Sequence, residues 1–214
     1  MHFGSQMLPL TPRYAIYYSP DPGSPLAAFS QAWFGPDSKL KSSLDRPYID
    51  RITTNTRRYG FLGTLKPPFE LNPMLSLDGL MAAARLFART KAIVELPPLE
   101  LAVIGKFIAL TPAHESEALE KLAAACVRAF EAFRAPMSAE QLAQYKLNKL
   151  TVHQEQMLKH WGYPYVMEEF RFHMSLTDKI EDDAERIRVM DELARIAAPV
   201  IGKPLVVRAI TLFR

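Results

Sequence analysis

Two short segments, far apart in the chain, carry side chains suited to handling a phosphate. Phe172-His173-Met174-Ser175-Leu176 holds an imidazole and a hydroxyl. Phe61-Leu62-Gly63-Thr64-Leu65 repeats the frame Phe-x-x-(Thr/Ser)-Leu with a hydroxyl but no imidazole. Both read as strands, and the side chains of a strand alternate between two faces. One face of the later segment then holds Arg171, His173, Ser175 and Thr177, and the other Phe170, Phe172, Met174 and Leu176. In the earlier segment Thr64 and Lys66 share a face, with Phe61, Gly63 and Leu65 opposite. Laid side by side, the polar faces would gather an imidazole, two cations and several hydroxyls. Hydroxyls and cations hold the non-bridging oxygens of a phosphate, and imidazole moves a proton near neutral pH. The wet face of a half-exposed antiparallel sheet carries the same residue types, so both readings stand at this point.

The elements that must position these residues alternate without a regular βαβ rhythm, which predicts an α+β fold. Arg13–Ser19 is aromatic and β-branched and reads as a strand. A helix follows, with Ser24 as N-cap, Pro25 at its first position and Gly35-Pro36 at its end. Leu26, Phe29 and Trp33 form its buried stripe. Residues 37–58 are polar and read as loop. Tyr59–Phe69 reads as a strand stopped by Pro67-Pro68. Leu77, Leu80, Met81, Ala84 and Phe87 mark another helix. Leu99–Ile104 and Phe107–Thr111 flank Gly105-Lys106 as a two-residue hairpin. A helix over 115–134 buries Leu119, Leu122, Ala123, Cys126, Phe130 and Phe133. Ser138-x-x-Gln141 and Thr151-x-x-Gln154 have the form of capping boxes. The spacing then predicts a strand over 169–177, a helix over 182–198 and a last strand over 205–213.

Composition narrows the function classes. The 214 residues are 49% hydrophobic and 23% charged, ordinary for a globular chain and wrong for a disordered tail, a coiled-coil rod or a membrane bundle. Net charge is only +3, so general nucleic-acid binding is not expected, while a small anionic ligand is compatible. The lone Cys126 excludes an intrachain disulfide and a cysteine-based zinc cluster. Met1–Gln6 does not read as a secretory leader, and no run of about 20 apolar residues suggests a membrane span. A reducing, cytoplasmic location is the expectation.

The segments YGFLGTLKPPF (59–69) and EFRFHMSLT (169–177) resemble the two signature strands of the 2H phosphoesterase superfamily, and more narrowly its branch linked to phosphonate-utilisation operons. RYAIYYSPDPGSPLAAFSQAWFG (13–35), LPPLELAVIGKFIALTP (96–112), VRAFEAFRAPMS (127–138) and WGYPYVMEEF (161–170) fit that branch as well. The resemblance implies one domain over 1–214, built as two pseudo-symmetric α+β lobes. Antiparallel sheets would form a central cleft with helices outside, and each lobe would supply one His-x-(Thr/Ser) strand. In active members one imidazole is the general base and the other the general acid, the hydroxyls grip phosphate, and no metal or other cofactor is required. Substrates are cyclic phosphates or 2′-5′ phosphodiesters. Carried onto this chain, His173 transfers a proton, Thr64 and Ser175 bind phosphoryl oxygens, and Lys66 or Arg171 offsets charge.

The first motif departs from the family's His-Ala-Thr, reading Leu62-Gly63-Thr64 here. Loss of one positioned acid or base costs ~10²–10⁴-fold in rate. Three outcomes follow. The chain is a catalytically silent phosphate- or nucleotide-binding or regulatory relative. Or it uses a substitute group, for which Tyr59, Lys66, Tyr163 and Tyr165 flank the motifs. Or it acts on a substrate whose leaving group needs no protonation.

Other chemistry-bearing residues have plainer readings. His153 and His160 are seven apart, not the four a metal pair on one helix prefers. His114 reads as exposed, and Cys126, on an apolar face, as a structural thiol. The acidic run Asp178–Glu185 reads as a helix N-terminus. Arg57-Arg58 read as a solvated loop or as anion steering, and Trp161 and Tyr163-Pro164-Tyr165 as packing or as a stacking surface. No glycine-rich phosphate loop is present.

Overall fold

The computed structural model describes residues 11–35, 42–146 and 149–214. The expected helix stop at Pro36, the first residues of the 37–58 loop and the reading of Met1–Gln6 lie outside them. The elements run β1 (Arg13–Tyr18), α1 (Pro25–Phe34), α2 (Arg46–Ile52), α3 (Thr54–Tyr59), β2 (Gly63–Glu70), α4 (Leu77–Arg89), β3 (Val94–Ile104) and β4 (Phe107–Pro112). They continue with α5 (Glu117–Ala129), α6 (Ala139–Lys146), α7 (Val152–Trp161), β5 (Met174–Ser175), α8 (Asp183–Ala197), β6 (Pro204–Val207) and β7 (Thr211–Phe213). One sheet has the order β2-β1-β7 and the other β5-β4-β3-β6. Every pairing is antiparallel, so the fold is α+β. The buried faces of both sheets and of α1, α4, α5 and α8 join one hydrophobic cluster. Among the described residues no helix is long and apolar enough to cross a membrane.

Local signals build the helices as read. Ser24 Oγ accepts from Ala27 N at 3.1 Å, with Pro25 behind it. Thr151 and Gln154 form a reciprocal capping box, and Gly162 closes α7 in the left-handed conformation with φ 72°. Ser138 and Gln141 bond reciprocally in the same way. Gly105, with φ 59°, turns the β3–β4 hairpin, and Ile104 pairs with Phe107 across it.

Four segments differ from expectation. The 37–58 stretch is not only loop. It holds α2, whose N-cap Asp45 accepts from Tyr48 N with Pro47 in the first turn, and α3. β2 is not stopped by Pro67-Pro68 but runs to Glu70. It is an edge strand, and the two prolines fall where its pairing skips a residue, positions where a missing N–H costs no ladder bond. The 169–177 segment keeps its alternation through Ser175, yet only Met174 and Ser175 pair as strand. Beyond them the amides of Leu176 and Thr177 both turn to Ile108 O. The last strand is two: β6 lies in the four-stranded sheet and β7 in the three-stranded one, so the C-terminal segment stitches the sheets together.

The pairing of β1 with β2 also overturns the expected common face of Thr64 and Lys66. The register slips twice, each time with an extra residue in β2: Tyr14 faces Phe69, Ile16 faces Lys66, and Tyr17 faces Thr64. Ile16 and Tyr17 are neighbours and point to opposite faces. Their partners follow, so Thr64 and Lys66 part company. Lys66 is 1% exposed and turns onto α5, where Nζ donates to Val127 O at 3.1 Å and pairs with Glu131 at 3.0 Å. Burial pushes its pKa below the usual lysine value, against the pull of Glu131.

Candidate functional site

The two motif segments end on facing borders of the two sheets. β2 is one edge strand and β5 another. Contact between them is direct: the ring of Phe172 fills the space a side chain at Gly63 would need, its Cε2 lying 2.2 Å from an ideal Cβ there. Beside this contact opens a cavity of about 670 Å³. Its wall takes Thr64 from β2, Arg171 and His173 from the run into β5, Phe107 from the hairpin, and Tyr163 and Tyr165 from the turn after α7. Lys106 at the hairpin tip and Lys179 and Glu181 beyond β5 complete a charged rim.

His173 is oriented by its own backbone neighbourhood. Nδ1 lies 2.8 Å from Arg171 O. A carbonyl only accepts, so the bond places the hydrogen on Nδ1 and leaves Nε2 as the basic nitrogen of the neutral ring. Phe107 packs against the imidazole at 5.5 Å between centroids. Arg171 spends Nη1 on main-chain oxygens, Phe170 O at 2.6 Å and Glu168 O at 3.1 Å, and so braces the segment that carries His173. Tyr163 packs edge-on between Tyr145 and Tyr165, 6.1 and 5.7 Å away. Burial pushes its phenol up to about 12, which makes it a neutral hydroxyl and not a substitute base near neutral pH.

Of the residues singled out from sequence, Thr64, Arg171, His173, Tyr163 and Tyr165 line this cavity. Lys66 does not, being buried against α5. Tyr59 ends α3 and is 74% exposed, away from the cavity wall. Ser175 is half-buried opposite Ala109 and also lies off the wall. Thr177, expected on the polar face, is buried, and its Oγ1 accepts from Ile108 N at 3.0 Å. Leu62 is half-buried directly before β2. Arg57 is tied to Asp50 at 2.6 Å rather than to the cavity. His153 faces Glu168 at 3.7 Å, and His160 packs on Trp161. Among the described residues no cluster of three or more His, Cys, Asp or Glu has the makings of a metal site.

The residues missed from sequence are Lys106, Lys179 and Glu181. Lys106 reads locally as a turn residue and Glu181 as part of a helix start. The signal was the hairpin itself, because its second strand pairs with β5 and carries the turn to the same rim.

The profile of the family described as "Protein of unknown function (DUF1045)" matches residues 64–214, starting at the cavity's own Thr64. The chain belongs to the DUF1045 family. Two longer proteins share the sequence beyond that match. A protein of Janthinobacterium sp. (strain Marseille) called ribose 1,5-bisphosphate phosphokinase PhnN is 33% identical over 213 residues, covering 94% of this chain and 47% of its own length. One of the same name from Laribacter hongkongensis (strain HLHK9) is 31% identical over 196 residues, covering 89% of this chain and 45% of its own length. The DUF1045 chain thus spans about half the length of these curated relatives.

Proposed function

We propose that the cavity takes a small phosphate ester and that His173 is its proton-transferring group, in hydrolysis of a cyclic phosphate or phosphodiester. One observation carries the reading: Thr64 and His173, from the borders of different sheets, line a single cavity rimmed by Lys106 and Lys179. His173 Nε2 takes a proton from water attacking phosphorus, and Thr64 donates to a phosphoryl oxygen. In an in-line displacement the attacking and leaving oxygens lie on opposite sides of phosphorus, so one imidazole serves one of them. A substrate with a good leaving oxygen suits a site of this kind.

The resemblance to the phosphonate-linked 2H branch and the name of the longer relatives point the same way, toward a sugar phosphate in phosphonate metabolism. The kinase step in that name is not proposed for this chain, whose sequence lacks a phosphate-binding glycine loop. A second reading, a silent phosphate-binding relative, is favoured by Leu62 standing where the resembling pattern has histidine.

Hydrolysis of ribose cyclic phosphates and 2′,3′-cyclic nucleotides, followed by phosphorus NMR, separates the two. Activity that falls at least ~10²-fold in His173→Ala supports the enzyme. A silent wild type that gains activity in Leu62→His supports the binding relative. Wild type and both variants that neither hydrolyse nor bind a phosphate ester would overturn both.

A further inference from the structure

The charged rim has a feature that a site for one phosphate does not require. Lys106 and Lys179 stand on adjoining segments, and Ile180 N donates to Lys106 O at 2.8 Å, so the two cations are held in register by backbone. Glu181 shares this rim. Its carboxylate pairs with Lys106 Nζ, and it is held below the usual carboxylate range first by the Lys106 hydrogen bond and charge, with Lys179 adding to the pull. Lys106 and Glu181 are both well exposed, and such a pair is worth little in water. An incoming anion therefore displaces Glu181 from the lysines at small cost.

The dimensions agree. Ligand sites for small molecules run from about 300 to 1,000 Å³. At about 670 Å³ the cavity holds far more than a phosphate group. Thr64 comes from the β2 edge and His173 from the run into β5, the lysines from the hairpin tip and the segment beyond β5, with Phe107, Pro67 and Val166 as apolar wall in the same cavity. Resting on the reading of the cavity as a phosphate-ester site, we propose that its ligand is a small sugar ester bearing two phosphate groups, the second held by Lys106 and Lys179 with Glu181 as the internal anion it replaces.

Calorimetric titration with ribose 5-phosphate and ribulose 1,5-bisphosphate tests this. The wild-type chain is expected to bind the bisphosphate at least ten-fold more tightly. The double substitution Lys106→Ala/Lys179→Ala removes that preference and leaves monophosphate affinity within about two-fold, because on this proposal the lysines hold only the second phosphate. Glu181→Gln raises bisphosphate affinity several-fold by freeing both lysines. The preference fades with added salt, as it must for exposed charges. Equal binding of the two probes by wild type, or a preference that survives the double substitution, overturns the proposal while leaving the phosphate site intact. Failure of wild type to bind either probe overturns both.

Discussion

Asp178 holds Thr56 twice: Oδ1 accepts from the Thr56 amide at 2.8 Å and from its hydroxyl at 2.6 Å. Oδ2 accepts from Asn55 N at 2.8 Å and Nδ2 at 3.1 Å, and the Asp178 amide donates to Ile52 O at 2.7 Å. Thr53, the residue at the N-cap position of α3, provides no side-chain cap. A distant carboxylate thus satisfies the amides that the start of a helix leaves orphaned. Since α3 leads through Gly60 into β2, and Asp178 lies three residues beyond Ser175, this bond set fixes one wall of the cavity against the other.

Removal of that carboxylate should loosen both walls. Hydrogen bonds to a charged group contribute about 1.5–3 kcal/mol. Asp178→Ala is therefore expected to lower the melting temperature by roughly 4–8 °C for ~2 kcal/mol lost. The pH dependence follows from the depressed carboxyl. Burial alone would raise its pKa, but the bonds from Asn55 and Thr56 together outweigh it and hold the group below the usual aspartate range. Its contribution is complete above the unfolded value of about 3.9 and is lost as pH falls through the folded one. Thermal melts of wild type and Asp178→Asn should differ most near neutral pH and converge toward pH ~3. A gap that stays constant across that range would contradict the assignment.

Gly63→Ala tests the contact between the motif segments. The new Cβ would lie 2.2 Å from Phe172 Cε2 and 2.3 Å from Cζ. Phe172 is 6% exposed and packs on Tyr18, so its ring has nowhere to retreat. Overpacking of this kind costs about 1–3 kcal/mol. Denaturant titration should show that loss in Gly63→Ala and a partial return in Gly63→Ala/Phe172→Leu. A fully additive double substitution would mean that the two residues do not meet.

These cases mark what the sequence made legible. Ser24-Pro25, Thr151 with Gln154 and Gly105-Lys106 announce their elements because caps and turns are decided within four residues. The hydrophobic alternation of 170–175 also survives, being a property of one strand. Lys66 went the other way because its face depends on two bulges in the pairing with Tyr14, Ile16 and Tyr17, about fifty residues earlier. The split between Val207 and Thr211 depends likewise on which sheet has an open border. Thr64 and His173 were readable as chemistry. Lys106 and Lys179 were not, because only the fold brings a hairpin tip to the segment beyond β5.

Lys66 and Glu131 should respond unequally to substitution. Glu131 holds Lys66 Nζ through Oε2 and Arg134 through Oε1, at 2.6 Å to Nη2. Glu131→Ala strands a buried ammonium, and breaking such a pair costs about 3–5 kcal/mol. The low end applies here, since Glu131 remains 24% exposed. Lys66→Met removes the buried charge itself, keeps an unbranched apolar chain beside Phe69, and leaves Glu131 its bond to Arg134. That change should stay within about 1.5 kcal/mol. Ligand affinity should be unchanged in Lys66→Met. A large loss of phosphate binding there would return Lys66 to the cavity and refute the bulged register.

Cys126 offers a readout of opening motions. It is fully buried on the inner face of α5, and burial pushes its thiol up to about 12 despite Lys91 and Lys66 nearby. Thiolate is the reactive form, so a native chain at pH 8 exposes neither the sulfur nor a useful fraction of its anion. Labelling by a disulfide reagent should therefore be slow and should accelerate with denaturant in step with loss of structure. Asp178→Ala, which frees α3 and β5 but not α5, should raise the labelling rate only as far as it lowers global stability. A thiol that reacts at once in the native protein would contradict the placement of α5 over β2 and β3, and with it the seat of Lys66.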